Sequence, residues 1–128
     1  MNRAELNKLH TRIFEAASEV YSELGQGLDV QIYHTCFLHE LRLKGLLFKR
    51  DVAFPVYYKG IKTNKEIIVD ILVENQAIVE IRSEREISLL QLHSLQSKLK
   101  ISGKRMGIII TFNAPGVVEG YRKVMNNL

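Results

Sequence analysis

Two acidic residues and one arginine lie within apolar stretches of the chain and could do chemistry together. Asp70 stands in "IIVDILV" and Glu80 stands in "AIVEIRS", two residues before Arg82. A buried carboxylate needs a compensating partner, because burial of an unpaired charge is costly. Either a divalent cation such as Mg²⁺ or Mn²⁺ binds both carboxylates, or the Arg82 guanidinium pairs with them. The first alternative predicts a metal site, and the second predicts a salt-bridged polar face at the edge of a sheet.

Both acids lie in the predicted strands of one hairpin. Side chains alternate between the faces of a strand, so Glu80 and Arg82 point to the same face. With a two-residue turn at Asn75-Gln76, Asp70 pairs with Ile81 and not with Glu80. A bulge or a loop longer by one residue would change this pairing. In each case the two acids lie within one step of each other across the hairpin.

The remaining hydrophobic patterns predict the element order α-α-β-β-β-α-β-α. Helical spacing predicts helices over residues 5–24, 28–44 and 86–102 and a short final helix in "GVVEGYRKVMNNL". The first predicted strand, in "LLFKRDVAFPVYYKG", ends in a turn near Lys59-Gly60, and Pro55 predicts an edge position or a bulge. The run "MGIIITFN" predicts a strand buried on both faces and parallel to a neighbour. The expected architecture is a mixed α/β sheet with helices on its faces.

Length and composition predict a single soluble domain over residues 1–128. Hydrophobic residues make up 46% of the chain, and the net charge is +4 with a pI of about 9.3. The basic residues are scattered, which leaves open a DNA- or RNA-binding face and a merely solvated surface. No apolar segment approaches the ~20 residues that a membrane span requires. The absence of a signal-like start and the single Cys36 predict a cytoplasmic protein, and homodimerisation is an open alternative.

Four stretches carry a further pattern: "IFEAASEVYSELGQG", "HELRLKGLLFKRDVAFPVYYKG", "VDILVENQAIVEIRS" and "LKISGKRMGIIITFN". Together they resemble the GxxExxY family of small bacterial proteins, within the PD-(D/E)XK nuclease-like superfamily. The resemblance covers nearly the full chain and implies an αβββαβ core. It also implies that Asp70, Glu80 and the backbone carbonyl of Ile81 bind Mg²⁺ or Mn²⁺. Arg82 then stands where the family pattern has the lysine that orients the attacking water.

The sequence departs from the family pattern at the motif that gives the family its name. In "GLDVQIY", Gly27 and Tyr33 match, but Val30 stands in place of the glutamate. Asp29 does not replace that glutamate, because one step along a helix turns a side chain by about 100°. Arg82 keeps the positive charge of the lysine, but its pKa is too high for proton transfer.

Three further positions bear on the same site. His34 stands where an acid commonly follows the tyrosine, and Ser94 stands where a glutamine is common on the third helix. Glu19 fits the pattern of the first helix, but whether it or His34 faces the site is open.

These departures predict a degenerate active site, in a nucleic-acid-binding or interaction module without efficient catalysis. One alternative is a weak Mg²⁺- or Mn²⁺-dependent DNA or RNA nuclease that uses Asp70 and Glu80. Another is a scaffold subunit in which the acids and Arg82 only hold the hairpin together.

Overall fold

The computed structural model describes residues 1–126, which form three helices around one five-stranded sheet. The strand order is β1-β2-β3-β4-β5; β3 and β4 are parallel, and the other neighbours are antiparallel. The elements in chain order are α1 (Arg3–Leu24), α2 (Val30–Leu43), β1 (Phe48–Tyr58), β2 (Ile61–Val73), β3 (Ala77–Arg82), α3 (Leu89–Ser102), β4 (Met106–Thr111) and β5 (Tyr121–Met125).

The helices cover both faces of the sheet. Alternate residues of β3 divide between two hydrophobic clusters: Val79 and Ile81 pack with α1 and α2, and Ile78 packs with α3. All six residues of β4 are buried, as expected for a strand covered on both sides. The predicted mixed α/β sheet with helices on its faces is therefore confirmed.

Helix α3 makes the connection between the parallel strands β3 and β4. It begins with a capping box in which Ser88 and Gln91 each accept a hydrogen bond from the other's backbone N–H. It ends at Gly103, whose left-handed backbone (φ 74°) closes the last turn. The prediction of a helical crossover into a parallel strand is confirmed. No helix within residues 1–126 combines the length and the hydropathy needed to cross a membrane.

The turn between β2 and β3 corrects the predicted pairing of the acids. The turn contains three residues, Glu74 to Gln76, and not the expected two. Glu74 and Asn75 both have positive φ, and the Gln76 N–H donates a hydrogen bond to Val73. The extra residue shifts the register so that Ile71 pairs with Val79. The register therefore aligns Asp70 with Glu80, and the expected pairing with Ile81 is wrong.

The final element is strand β5, and the predicted final helix is wrong. Its apolar residues recur at helical spacing, but the exposed edge of β4 offers backbone hydrogen bonds that a strand can satisfy. β5 pairs with β4 from Tyr121 opposite Ile110 to Met125 opposite Met106. Residues 127 and 128, the end of the predicted helix, lie outside the described residues.

Strands β1 and β2 form a ribbon that is longer than the rest of the sheet. They contain 11 and 13 residues, whereas β3 contains 6. A tight turn at Lys59 and Gly60 joins them, and the register shifts between Pro55 and Tyr57. The predicted turn and the predicted edge or bulge position of Pro55 are both confirmed, since β1 is an edge strand of the sheet.

Candidate functional site

The residues Asp70, Glu80 and Arg82 meet where strands β2 and β3 stop pairing. The last paired residues are Ile71 and Val79, so Asp70 and Glu80 are the first residues beyond the ladder on their strands. On the neighbouring strand β1, the register places Asp51 opposite Asp70. The backbone of Asp51 is irregular, with a φ of 50°. The interrupted ladder leaves space at Asp70 that a side chain of β3 can enter.

Arg82 fills this space and contacts each of the three groups predicted to bind a metal. Its Nη1 lies 2.7 Å from Oδ2 of Asp70 and 2.9 Å from the carbonyl oxygen of Ile81. Its Nη2 lies 3.0 Å from Oε1 of Glu80. The Ile81 N–H also donates to Oδ2 of Asp70, at 3.3 Å. The structure thus brings together all of the residues predicted for the site, with the guanidinium at their centre.

Lys98 is a fourth charged member of this cluster, and the sequence reasoning missed it. Its Nζ lies 2.7 Å from Oε2 of Glu80, so each oxygen of that carboxylate contacts a cation. Glu80 is only 2% exposed, which makes the double pairing necessary. Helical spacing could have identified Lys98, because it follows the buried Leu95 by three residues on the side of α3 that faces the sheet.

The charges of the cluster are balanced within the protein. The carboxylates of Asp70 and Glu80 face the cations of Arg82 and Lys98. Burial alone would lower the pKa of Arg82, but the neighbouring Glu80 and Asp70 carboxylates raise it above its ordinary value. Arg82 is therefore a permanent cation at this position and cannot act as a general base or acid.

An open cleft of about 400 Å³ lies beside this cluster. Helix α2 contributes one wall, and strands β1 to β3 contribute the other. The lining residues are Val30, Gln31, His34, Arg50, Asp51, Asp70, Ile81 and Arg82. The cleft is the concave surface at which a bound molecule would reach Arg82.

The first turn of α2 determines what the cleft offers chemically. Val30 lines it, so an apolar side chain stands at the position of the expected glutamate. Asp29 caps the helix, because its side chain accepts a hydrogen bond of 2.8 Å from the Gln31 N–H. His34 lines the cleft, where burial first and Arg50 second lower its pKa, against an opposing effect of Asp70 and Asp51. The sequence left open whether Glu19 or His34 faces the site, and in the structure His34 does.

Two other sequence-predicted positions lie away from the cleft. Glu19 lines a separate depression between α1 and α2, together with Cys36 and His39. Ser94 is exposed on α3, one turn before Lys98. Neither residue contributes to the lining of the cleft.

The motif residues Gly27 and Tyr33 support the start of α2. The Tyr33 hydroxyl donates to the carbonyl of Gly25 and accepts from the Leu28 N–H, and its ring stacks on Phe112 at 4.7 Å between centroids. The Gly27 N–H donates to the Asn113 side chain at 2.8 Å. Both residues therefore hold the α1–α2 turn in place, which sets the position of Val30 over the cleft.

The arrangement does not fit a divalent cation in addition to Arg82. Within residues 1–126, no cluster of three or more His, Cys, Asp or Glu side chains is placed to hold a metal ion. The available donors are two carboxylates and one carbonyl, and each already accepts a hydrogen bond or ion pair from the guanidinium. A cation could reach those atoms only if Arg82 moved away.

Comparison with known proteins identifies a family. Residues 7–124 match the family model described as the PD-(D/E)XK nuclease superfamily. No curated protein and no solved structure matched the chain.

Proposed function

Because the chain belongs to the PD-(D/E)XK nuclease superfamily, we propose that it uses this fold to bind nucleic acid without a metal ion and without efficient cleavage. The observation that supports the proposal is the Arg82 guanidinium within hydrogen-bond distance of Asp70, Ile81 and Glu80. A nuclease site of this type presents unpaired carboxylates that need a metal to approach a phosphate. Here Arg82 and Lys98 neutralise the carboxylates, so a phosphate meets no net negative charge.

The finer family assignment belongs to the same proposal. Gly27 and Tyr33 are retained from the G-x-x-E-x-x-Y motif, and their contacts hold the α1–α2 turn. Their retention supports descent from the GxxExxY family of small bacterial proteins. Val30 and Arg82 then mark two independent losses of the catalytic set, and loss of a single member is often enough to abolish activity.

The proposal is tested by the binding of fluorescently labelled DNA and RNA in the presence of a chelator. We expect binding in the chelator that millimolar Mg²⁺ does not strengthen, an affinity that falls steeply with salt, and no cleavage. The matched variants are Arg82→Gln, which leaves Asp70 unpaired, and Arg85→Gln, which alters an exposed arginine three residues away. We expect only the first variant to weaken binding. Failure of the wild-type protein to bind any nucleic acid would refute the proposal and favour a scaffold role.

A weak metal-dependent nuclease is the second candidate, and one observation favours it. Asp70, Glu80 and the Ile81 carbonyl converge around a single point, as a metal site would require. Cleavage that depends on Mg²⁺ or Mn²⁺ and is abolished by Asp70→Asn would establish this candidate over the first.

A further inference from the structure

The far end of the β1–β2 ribbon, residues 57–65, is largely exposed and concentrates positive charge. Its sequence "YYKGIKTNK" contains three lysines and no acid, in a chain whose whole net charge is +4. Tyr57, Tyr58 and Ile61 are 61%, 64% and 69% exposed. Large exposed apolar side chains beside several positive charges are more typical of a binding surface than of a surface that only contacts water.

The ribbon leaves the sheet at the candidate site. From Ile61 to Asp70, strand β2 lies beside β1 but is no longer paired with β3. Residues 51–70 therefore form a two-stranded arm, with its tip at residues 57–65. Val52 and Phe54 pack the base of this arm against the cluster under α3. From Asp51 to Tyr58 the arm spans roughly 23 Å at about 3.3 Å per residue. A long ligand held at the cleft could therefore continue along the arm.

The tip of the arm has a defined shape. Tyr57 pairs with Lys62 and Tyr58 pairs with Ile61, so one face carries an aromatic ring beside a lysine and the other carries an aromatic ring beside an isoleucine. The irregular segment before Glu66 is held by the Thr63 hydroxyl, which lies 2.9 Å from the Val56 carbonyl oxygen and 3.1 Å from that of Lys65. These contacts link the backbone on both sides of Thr63, in the segment that carries Lys62 and Lys65.

We infer that residues 57–65, the tip of this arm, bind the phosphate backbone of duplex DNA and enter its major groove. This inference rests on the proposed function and adds the surface that makes the contact. Charge complementarity supports it, because three lysines face a polyanion, whereas the same arm of a second copy would bring like charges together. The width of the arm supports it as well, because the major groove of B-form DNA admits a two-stranded β-ribbon and the deep, narrow groove of duplex RNA does not.

The test compares two triple variants that remove the same charge. One is Lys59→Gln, Lys62→Gln and Lys65→Gln on the arm; the control is Lys8→Gln, Lys100→Gln and Lys123→Gln, at exposed positions on α1, α3 and β5. Affinity for a short labelled DNA duplex is measured against salt concentration in a chelator, together with gel filtration and urea unfolding of each protein. Duplex RNA and vesicles of anionic lipid serve as alternative ligands.

We expect the arm variant to lose about tenfold or more in DNA affinity and its salt slope to become shallower by about 2.7, at about 0.9 per phosphate contact. We expect the control variant to keep the slope of the wild type. If the wild type binds DNA and the two variants behave alike, the arm is not the contact surface, although the proposed function stands. If no nucleic acid binds the wild type, the proposed function fails and this inference fails with it.

Three other outcomes would also overturn the inference. The arm variant could lose binding to duplex RNA and keep its binding to DNA. It could lose binding to anionic vesicles only, which would identify a membrane surface as the ligand. It could change from a dimer to a monomer in gel filtration, which would identify a second copy of the chain as the partner of the arm.

Discussion

Nη2 of Arg82 lies 3.0 Å from Oε1 of Glu80, a carboxylate that is only 2% exposed. The two residues are separated by one position on β3 and share a face of the strand, which brings the charges together without any change of backbone. The cluster of Asp70, Glu80, Arg82 and Lys98 is consequently a structural unit as well as a candidate site. Its energetics give the first predictions.

Replacement of Arg82 by Met should destabilise the protein. The change leaves Glu80 buried with Lys98 as its remaining cation, so the loss should stay below the about 3–5 kcal/mol that a fully uncompensated buried charge costs. The free energy of unfolding from urea titration measures the effect. Arg85→Met, at an exposed position of the same segment, is the control and should change stability by less than about 0.5 kcal/mol. Equal stability of the two variants would show that the pairing contributes little.

Replacement of Lys98 by Met should also destabilise the protein, because Oε2 of Glu80 then faces an apolar side chain. Since Arg82 still pairs with Glu80, the expected loss in the free energy of unfolding is again below about 3–5 kcal/mol. Lys100→Met, an exposed position on the same helix, is the matched control. A combined Lys98→Met and Glu80→Gln variant should recover part of the loss, since it removes the buried charge together with its partner. A loss that the second change leaves undiminished would contradict this explanation.

Removal of the guanidinium should create a metal site. In Arg82→Ala, the oxygens of Asp70, Glu80 and Ile81 lose their shared cation and become available to Mn²⁺. We expect Mn²⁺ to raise the melting temperature of this variant more than that of the wild type, with binding heat in calorimetry. Adding Asp70→Asn to the variant removes a charged ligand and should abolish the gain. An equal response of wild type and Arg82→Ala would mean that Arg82 does not compete with the metal.

Acidification should destabilise the protein through His34. Its pKa is lowered in the folded state from the ordinary 6.5, by burial and by Arg50. The unfolded chain therefore binds more protons between the two pKa values, so stability is full above pH 6.5 and falls as the pH drops toward the folded pKa. Urea titrations between about pH 8 and pH 5 should show a smaller decline in His34→Asn than in the wild type.

The control for this prediction is His39→Asn, a histidine in the depression between α1 and α2. It should retain the pH dependence of the wild type. An NMR titration of His34 with a midpoint at or above 6.5 would contradict the lowered pKa.

Gly120→Ala should disrupt the junction between β4 and β5. A Cβ atom at Gly120 would overlap the backbone carbonyl oxygen of Thr111, which cannot rotate away. Overpacking of this kind costs about 1–3 kcal/mol and occasionally more. In Gly116→Ala, the added atom meets only the mobile end of the Glu119 side chain, so this control should lose less stability. The two midpoints of urea unfolding provide the comparison.

Most of the fold could be predicted from the sequence, because its elements carry strong local patterns. The predicted end of the third helix at residue 102 and the predicted doubly buried strand β4 are both observed. The two errors have a common origin in pairing between strands. One is the turn that Glu74 lengthens with its positive φ, and the other is the pairing of β5 with the edge of β4. Both depend on contacts between strands, about which local hydrophobic periodicity carries no information.

The candidate site could be predicted in its membership but not in its arrangement. Asp70, Glu80, Ile81 and Arg82 stand close together in sequence or on one hairpin, so spacing identifies them. Which cation binds the acids is a matter of atomic distance, and spacing leaves both alternatives open. Lys98 comes from α3, and its contact with Glu80 depends on how that helix packs on the sheet.

The ion pairs of Arg82 also change how the stability of this fold depends on its surroundings. A bound metal stabilises a protein by mass action, so its contribution falls with the free metal concentration and disappears under chelation. The guanidinium of Arg82 is covalently attached to the chain, so neither dilution nor a chelator removes it. The contribution of Arg82 to the stability of the Asp70–Glu80 hairpin therefore does not vary with the free metal concentration.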